Sequence, residues 1–258
     1  MSSLRDILKD VPQSAKHHIE GTVWKHIRLV RCALPIAEGM FEEERRKGLP
    51  FSDYGPLMEH ERKLLRSAAW LHDAGKATTT AWTHPDESKT PWQELGGKLP
   101  DDGGRLQSLR HEEPEYYEPV LRQLGSAWQG MFEKTSLEDR DVLRFLVDEH
   151  MGFVGEKVSR GFVHLLMDDR GVLRPETRVK LLIIFKLMDV IGRGSMMMEE
   201  GREFLAEIRR ATERRRRFWA AQLEKNAPIS REDFVLKLRA KGLTDALIRQ
   251  AVRGKYGE

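Results

Sequence analysis

Apolar residues recur along this chain at three-to-four spacing, the mark of helices that bury one face. Val23, Ile27, Val30 and Leu34 trace one such stripe, with Thr22 placed to cap it and Pro35 expected to kink it. Gly48-Leu49-Pro50 and Gly55-Pro56 mark the loop that follows. The period resumes from Leu57 through Leu64, Leu65, Ala68, Ala69 and Leu71, then stops at Gly75, where a helix end commonly requires positive φ. Further helices are expected over about Glu112 to Leu124, over Leu137 to His150 with Ser136 as N-cap, over Phe162 to Met167, and from Pro175 to about Ile191. Asp168-Asp169-Arg170-Gly171 reads as a turn, and Met1 to Glu20 as a short helix followed by a loop. Glu199 to Lys225 carries Phe204, Ile208, Ala211 and Phe218 on one stripe, and two short helical stretches flank Gly242 between Ser230 and Lys255. Thr78 to Arg110, with paired glycines and little periodicity, reads as a long loop, and no alternating strand pattern stands out. The expected fold is all-α: a helical bundle over residues 1–198 and a C-terminal helical extension over 199–258.

At 258 residues and 40% hydrophobic content, the chain can bury one large core. A net charge of +3 gives no overall field for a polyanion, so any such attraction must be local. The one concentration of cations is Arg209, Arg210, Arg214, Arg215, Arg216 and Arg217, which reads either as a solvated helical face or as an RNA backbone contact. Cys32, the single cysteine, makes no intrachain disulfide, and Met1 to Gln13 lacks a signal peptide's apolar core. The longest apolar run, Leu181 to Phe185, is far short of the roughly 20 residues a membrane span needs. A soluble, cytoplasmic protein with no membrane partner is expected.

Chemistry-bearing residues fall at the helix ends. Asp189 lies four residues from Phe185 and seven from Leu182, on a face of large apolar groups. An unpaired carboxylate there costs several kcal/mol, so it requires a cationic partner: a buried arginine, a helix-end cap or a metal ion. His26 beside an apolar face is ordinarily a hydrogen-bonded core histidine. Its company changes that reading: His72-Asp73 at one helix end, His111 at the start of the next, His150 at the end of another, and Asp189. Helix termini are where side chains of different helices converge in a bundle. His17, His18, His60, His84 and His164 match no such position and read as surface or packing residues, while Trp82 and Trp92 in the irregular segment are core or lid residues able to stack on a base.

The ordered set His26, His72-Asp73, His111, His150 and Asp189 resembles the HD superfamily of metal-dependent phosphohydrolases, in particular the HD domains attached to bacterial tRNA nucleotidyltransferases and RNA-end-healing phosphoesterases. Three segments carry the likeness over residues 20 to 195: Glu20-Gly21-Thr22-Val23-Trp24-Lys25-His26, Leu71-His72-Asp73-Ala74-Gly75-Lys76 with Thr78 and Thr79, and Asp189-Val190-Ile191-Gly192-Arg193. No nucleotidyltransferase head is recognised, so tRNA end synthesis is not implied. The resemblance implies an HD-domain bundle in which His26, His72, Asp73 and Asp189 hold one divalent ion and His111 and His150 a second, with Asp73 bridging. A mixed imidazole and carboxylate set suits Mn, Fe, Co, Ni or Zn better than Mg or Ca. Such ions activate water and stabilise charge on phosphate oxygens. Asp73 and Lys76 are then the catalytic candidates, and Lys76, Thr79 and Arg193 the substrate-binding ones. Lys76 has an equally simple role as a helix C-terminal cation, and Arg193 as the partner of a nearby carboxylate. The implied substrate is a nucleotide or an RNA phosphate end, through 2′,3′-cyclic phosphodiesterase and 2′- or 3′-phosphatase chemistry. The alternatives are a small-nucleotide phosphohydrolase acting on dNMP, dNTP or an alarmone, and a non-catalytic RNA- or protein-binding module with a structural metal cluster.

Overall fold

In the computed structural model, the helix that predicted itself as an apolar run becomes the axis of the core. The structure describes residues 3–14, 21–125, 136–154, 157–158, 160–168, 170–193 and 197–226, together with 235, 239, 248 and 252. The chain divides into two compact units, Met1–Arg214 and Arg215–Glu258. The first holds α1 (Leu4–Leu8), α2 (Val23–Cys32), α3 (Leu34–Arg46), α4 (Glu59–Leu71) and the four-residue turn α5 (Lys76–Thr79). It continues with β1 (Thr80–Thr83), β2 (Lys89–Pro91), β3 (Arg105–Ser108), α6 (Pro114–Gln123), α7 (Leu137–Glu149), the two-residue strands β4 (Phe153–Val154) and β5 (Lys157–Val158), α8 (Arg160–Leu166) and α9 (Thr177–Gly192). Helix α10 (Met197–Asn226) contains the end of the first unit and the start of the second. In the second unit, Ile248 and Val252 are buried; the remainder of the helices expected around Gly242 lies outside the described residues, as do residues 15–20 and Asp169.

The described residues are mostly helical. Helix α9 is buried from Val179 to Gly192, and it packs against α2, α3, α4 and α7. A helix apolar on every side has no solvent face and belongs at the centre. Its charged residues are therefore paired: Lys180 Nζ lies 2.7 Å from Glu61 of α4, and Lys186 Nζ 2.7 Å from Asp189. The caps expected at Thr22 and Ser136 form, accepting from the backbone N–H groups of Lys25 and Asp139. Phe204, Leu205, Ile208 and Ala211 of α10 join the same core, whereas Phe218 is exposed.

Two local expectations are corrected. Pro35 does not kink one long helix: α2 ends at Cys32, and the proline sits in the first turn of α3, where its missing N–H costs nothing. The stretch Thr78 to Arg110 is not structureless, and the chain is not free of strands. It holds a three-stranded antiparallel sheet in the order β2-β1-β3, with Trp82 opposite both Thr90 and Leu106. Strands of three or four residues are too short to show alternation. Side-chain links tie this sheet instead: Thr80 to Ser108, Thr83 to Gln107, and Asp102 accepting from Trp82 Nε1 and from the Gly104 N–H at 2.9 Å each. Asp102 also pairs with His84, whose other ring nitrogen meets Thr90.

Candidate metal centre

Four helices and one linker bring the six expected ligands together. Thr22 fixes the start of α2, which places His26 on its inner face with Val23, Ile27 and Val30. Helix α4 ends at Leu71, His72 caps it through its N–H to the Ala68 carbonyl, and Asp73 follows in the turn. Gly75 does not serve the left-handed conformation expected of it: its φ is −62°. A side chain there would run into the His111 carbonyl, so the glycine permits the close approach that brings His111, between β3 and α6, to Asp73. His150 ends α7, and Asp189 projects from α9. All six are at most 6% exposed.

Asp73 lies between two sets of histidines. Its Oδ2 is 3.7 Å from His26 Nε2 and 3.6 Å from His72 Nε2. Asp189 Oδ1 closes this side, 3.1 Å from His26 Nε2 and 3.9 Å from His72 Nε2. On the other side, Asp73 Oδ1 is 3.2 Å from His111 Nε2 and 4.0 Å from His150 Nε2. Two buried groups, His26-His72-Asp73 and Asp73-His111-His150, thus have the spacing to hold a metal ion.

The protons on these rings follow from the backbone. Nδ1 of His72, His111 and His150 lies 3.1, 3.0 and 2.6 Å from the carbonyl oxygens of Ala69, Ser108 and Val147. A carbonyl only accepts, so each Nδ1 donates, and in the neutral ring each Nε2 carries a lone pair. All three Nε2 atoms are buried and make no hydrogen bond. Burial lowers His72 to about pKa 4, against the pull of Asp73, and holds His150 well below the ordinary histidine value. At neutral pH these two rings are uncharged bases. Burial alone would raise the Asp73 carboxyl, but the Lys76 ammonium beside it holds it well below the usual carboxylate range. Lone pairs of neutral imidazoles therefore face the oxygens of an ionised carboxylate, and acceptors facing acceptors require a cation between them. The donor set fits a divalent metal, with backbone carbonyls orienting the rings.

The other expected site residues are placed as follows. Lys76, 8% exposed, donates to Asp73 Oδ2 at 2.8 Å and to Gln13 Oε1 at 2.7 Å. Thr79 donates to the Gly75 carbonyl and stabilises the turn that carries Asp73. Arg193 ends α9; its Nη2 is 3.9 Å from Asp189 Oδ2, and its Nε is buried without a hydrogen-bond partner. Three arginines of α10 are engaged with acids. Arg209 binds Glu44 at 2.7 Å, Arg210 pairs with Glu203 and Glu207, and Arg214 reaches Glu207 at 2.6 Å. Arg216 and Arg217 have partners as well.

Sequence reasoning missed Lys186, which is 2% exposed and holds Asp189 Oδ2, leaving Oδ1 to the histidines. The signal was present: a lone cation in an apolar run, one turn before the buried carboxylate. Burial raises the Asp189 carboxyl, and Lys186 with His26 and Arg193 brings it well below the ordinary range. Gln13, the second partner of Lys76, gave no sequence signal. Trp82 is buried in the small sheet, and no helix among the described residues is long and apolar enough to cross a membrane.

No protein-family model matches the chain, and neither does a curated protein or a solved structure. The chemical reading of the centre rests on its own residues.

Proposed function

We propose that the chain is a metal-dependent phosphohydrolase of the HD type, acting on RNA ends or nucleotides by opening 2′,3′-cyclic phosphates and removing terminal phosphates. The observation that carries this reading is the division of Asp73, one oxygen toward His26 and His72 and the other toward His111 and His150. A carboxylate divided in this way would be able to serve two ions as a shared ligand. His26, His72, Asp73 and Asp189 would hold the first, and Asp73, His111 and His150 the second. Mn, Fe, Co, Ni or Zn suits these ligands. Divalent ions held there would supply Lewis acidity toward phosphate oxygens and lower the pKa of water.

The chain's own groups divide the remaining work. The carbonyls of Ala69 and Val147 hold protons at Nδ1 of His72 and His150 and keep those Nε2 atoms bare, and the Ser108 carbonyl orients the His111 ring. Lys76 and Lys186 keep Asp73 and Asp189 ionised and fix their rotamers. Arg193, with an unpartnered Nε at the edge of the cluster, is the group available to take a phosphate oxygen. Hydrolysis breaks the bond between phosphorus and the leaving oxygen as water adds, and the guanidinium offsets the charge that builds on the phosphoryl oxygens.

The pairing of Arg209, Arg210 and Arg214 with acids favours a second reading, hydrolysis of a free nucleotide with no RNA contact along α10. A panel of metals against 2′,3′-cyclic nucleotides, 2′- and 3′-nucleotides, dNTPs and phosphate-ended RNA, with Asp73→Asn as control, tests both. Turnover of the cyclic substrates that Asp73→Asn abolishes is expected. If metal binds at the cluster and none of these compounds is hydrolysed, the centre is structural and the proposal fails.

A further inference from the structure

Along α10, Arg209, Arg210 and Arg214 are paired with acids in the fold. A second group of cations, scattered in sequence, stands on α2 and α4. Arg28 and Arg31 follow Trp24 by four and seven residues, so the three share one stripe of α2. Lys63, Arg66 and Trp70 share the corresponding stripe of α4 by the same spacing. Trp24 and Arg31 are two helical turns apart, about 10.5 Å along the axis. The Trp70 ring lies 5.2 Å from Trp24, stacked at 23°, and 4.1 Å from the Arg31 guanidinium, which places it between them. The two stripes therefore form one surface.

Its charge is uncompensated. Among the described residues, Arg28, Arg31 and Lys63 make no ion pair, and Arg66 reaches only Glu59, at 3.6 Å with both side chains exposed. An exposed pair of that length contributes little. Arg31 Nε is buried and has no hydrogen-bond partner. Burial lowers the Arg31 pKa, the neighbouring Cys32 thiol opposes this, and the like charge of Arg66 adds to it. Cations gathered around an aromatic stack bind an anion that repeats and carries flat rings, which is a single-stranded polynucleotide. The same helices carry His26 and His72, each two residues beyond its tryptophan and so on the opposite side of its helix.

We infer that Trp24, Arg28, Arg31, Lys63, Arg66 and Trp70 form a track for single-stranded RNA, an inference that rests on the RNA-end reading above. The phosphates lie along Arg28, Lys63 and Arg66, and an unpaired base extends the stack at Trp24, which is partly buried.

Fluorescence anisotropy of an RNA oligomer of about a dozen nucleotides, with chelator present so that it is not cleaved, tests this. The variants are Arg28→Glu/Lys63→Glu, both at exposed positions, and Lys89→Glu/Lys98→Glu, an equal charge change at two exposed positions, one on β2 and one between β2 and β3. The first should lose affinity at least about tenfold and flatten the dependence of log K on log salt by about 1.4, two phosphate contacts of a single strand. The second should stay within about threefold of wild type. Wild-type affinity in the first variant, an equal loss in the second, or tighter binding of a DNA oligomer or of phosphatidylserine vesicles overturns the track. Hydrolysis of 2′,3′-cyclic mononucleotides is followed separately. Its absence beside charge-sensitive RNA binding sinks the catalytic reading and spares the track; its presence beside charge-insensitive binding does the reverse.

Discussion

The two oxygens of Asp73 look onto differently built surroundings. The Oδ2 side is made by α2, α4 and α9, helices packed on one another in the core, with the Phe185 ring set edge-on to His72 at 5.5 Å. The Oδ1 side is made by His111, on the linker that follows the small sheet, and by His150, at the last turn of α7. On the first side a second carboxylate, Asp189, faces the histidines with a buried lysine behind it, whereas on the second side Glu112 lies against the far ring nitrogen of His111, at 3.5 Å. The contrast teaches that the first position is as rigid as the core that contains it. The second depends on a few backbone contacts, and tighter metal binding is expected at the first.

Removing the shared residue should have the largest effect. Asp73→Asn is expected to empty both positions and to lower hydrolysis on the order of 10³-fold, equivalent to about 4 kcal/mol of transition-state stabilisation. Metal analysis and steady-state rates measure it, and retention of one tightly held ion with near-wild-type turnover would break the idea of a common bridge. Next is Lys186→Met, which strands the Asp189 carboxylate. Metal-free protein should lose about 3–5 kcal/mol in urea unfolding and recover more of it on adding Mn than wild type gains. Equal gains in the two proteins would mean that lysine and metal do not share Asp189.

Acid comes third. In metal-free protein, His72 stays neutral in the fold down to about pH 4, whereas in the unfolded chain it binds a proton near pH 6.5. The unfolded state takes up the proton first, so stability is full above that value and falls as pH drops through the window, by about 2 kcal/mol near pH 5. A metal-free protein equally stable near pH 7.5 and pH 5 would contradict the buried neutral ring. The smallest effect is expected from Gly75→Ala, which pushes the His111 carbonyl away and costs about 1–3 kcal/mol. It should weaken the second metal position while the first keeps its affinity in calorimetric titration. Parallel weakening of both would erase the distinction between the two sides.

How much of this could be read in the sequence depends on the distance over which each feature is decided. Thr22, Ser136 and the apolar run of α9 act within a turn or two of chain, and their caps and burial follow from local pattern. The convergence of His26, His72, Asp73, His111, His150 and Asp189 was legible only through resemblance, since spacing alone does not say which helix ends meet. The strand Thr80–Thr83 was not legible, because four residues held by Asp102 and Ser108 leave no period to detect. The state of the α10 arginines was hidden for the opposite reason. Arg209 finds Glu44, 165 positions away, and a run of like charges in sequence says nothing of acids brought in by the fold.

His26 and Asp189 meet across 163 residues of chain. An ion shared between them would close a loop that spans most of the first unit, and could do so only after α2 has docked on α9. Metal uptake at that position would thus be a clock for the end of folding rather than its beginning. The same closure would make the ion a removable crosslink, slowing unfolding of the native state and leaving the early, local helices untouched.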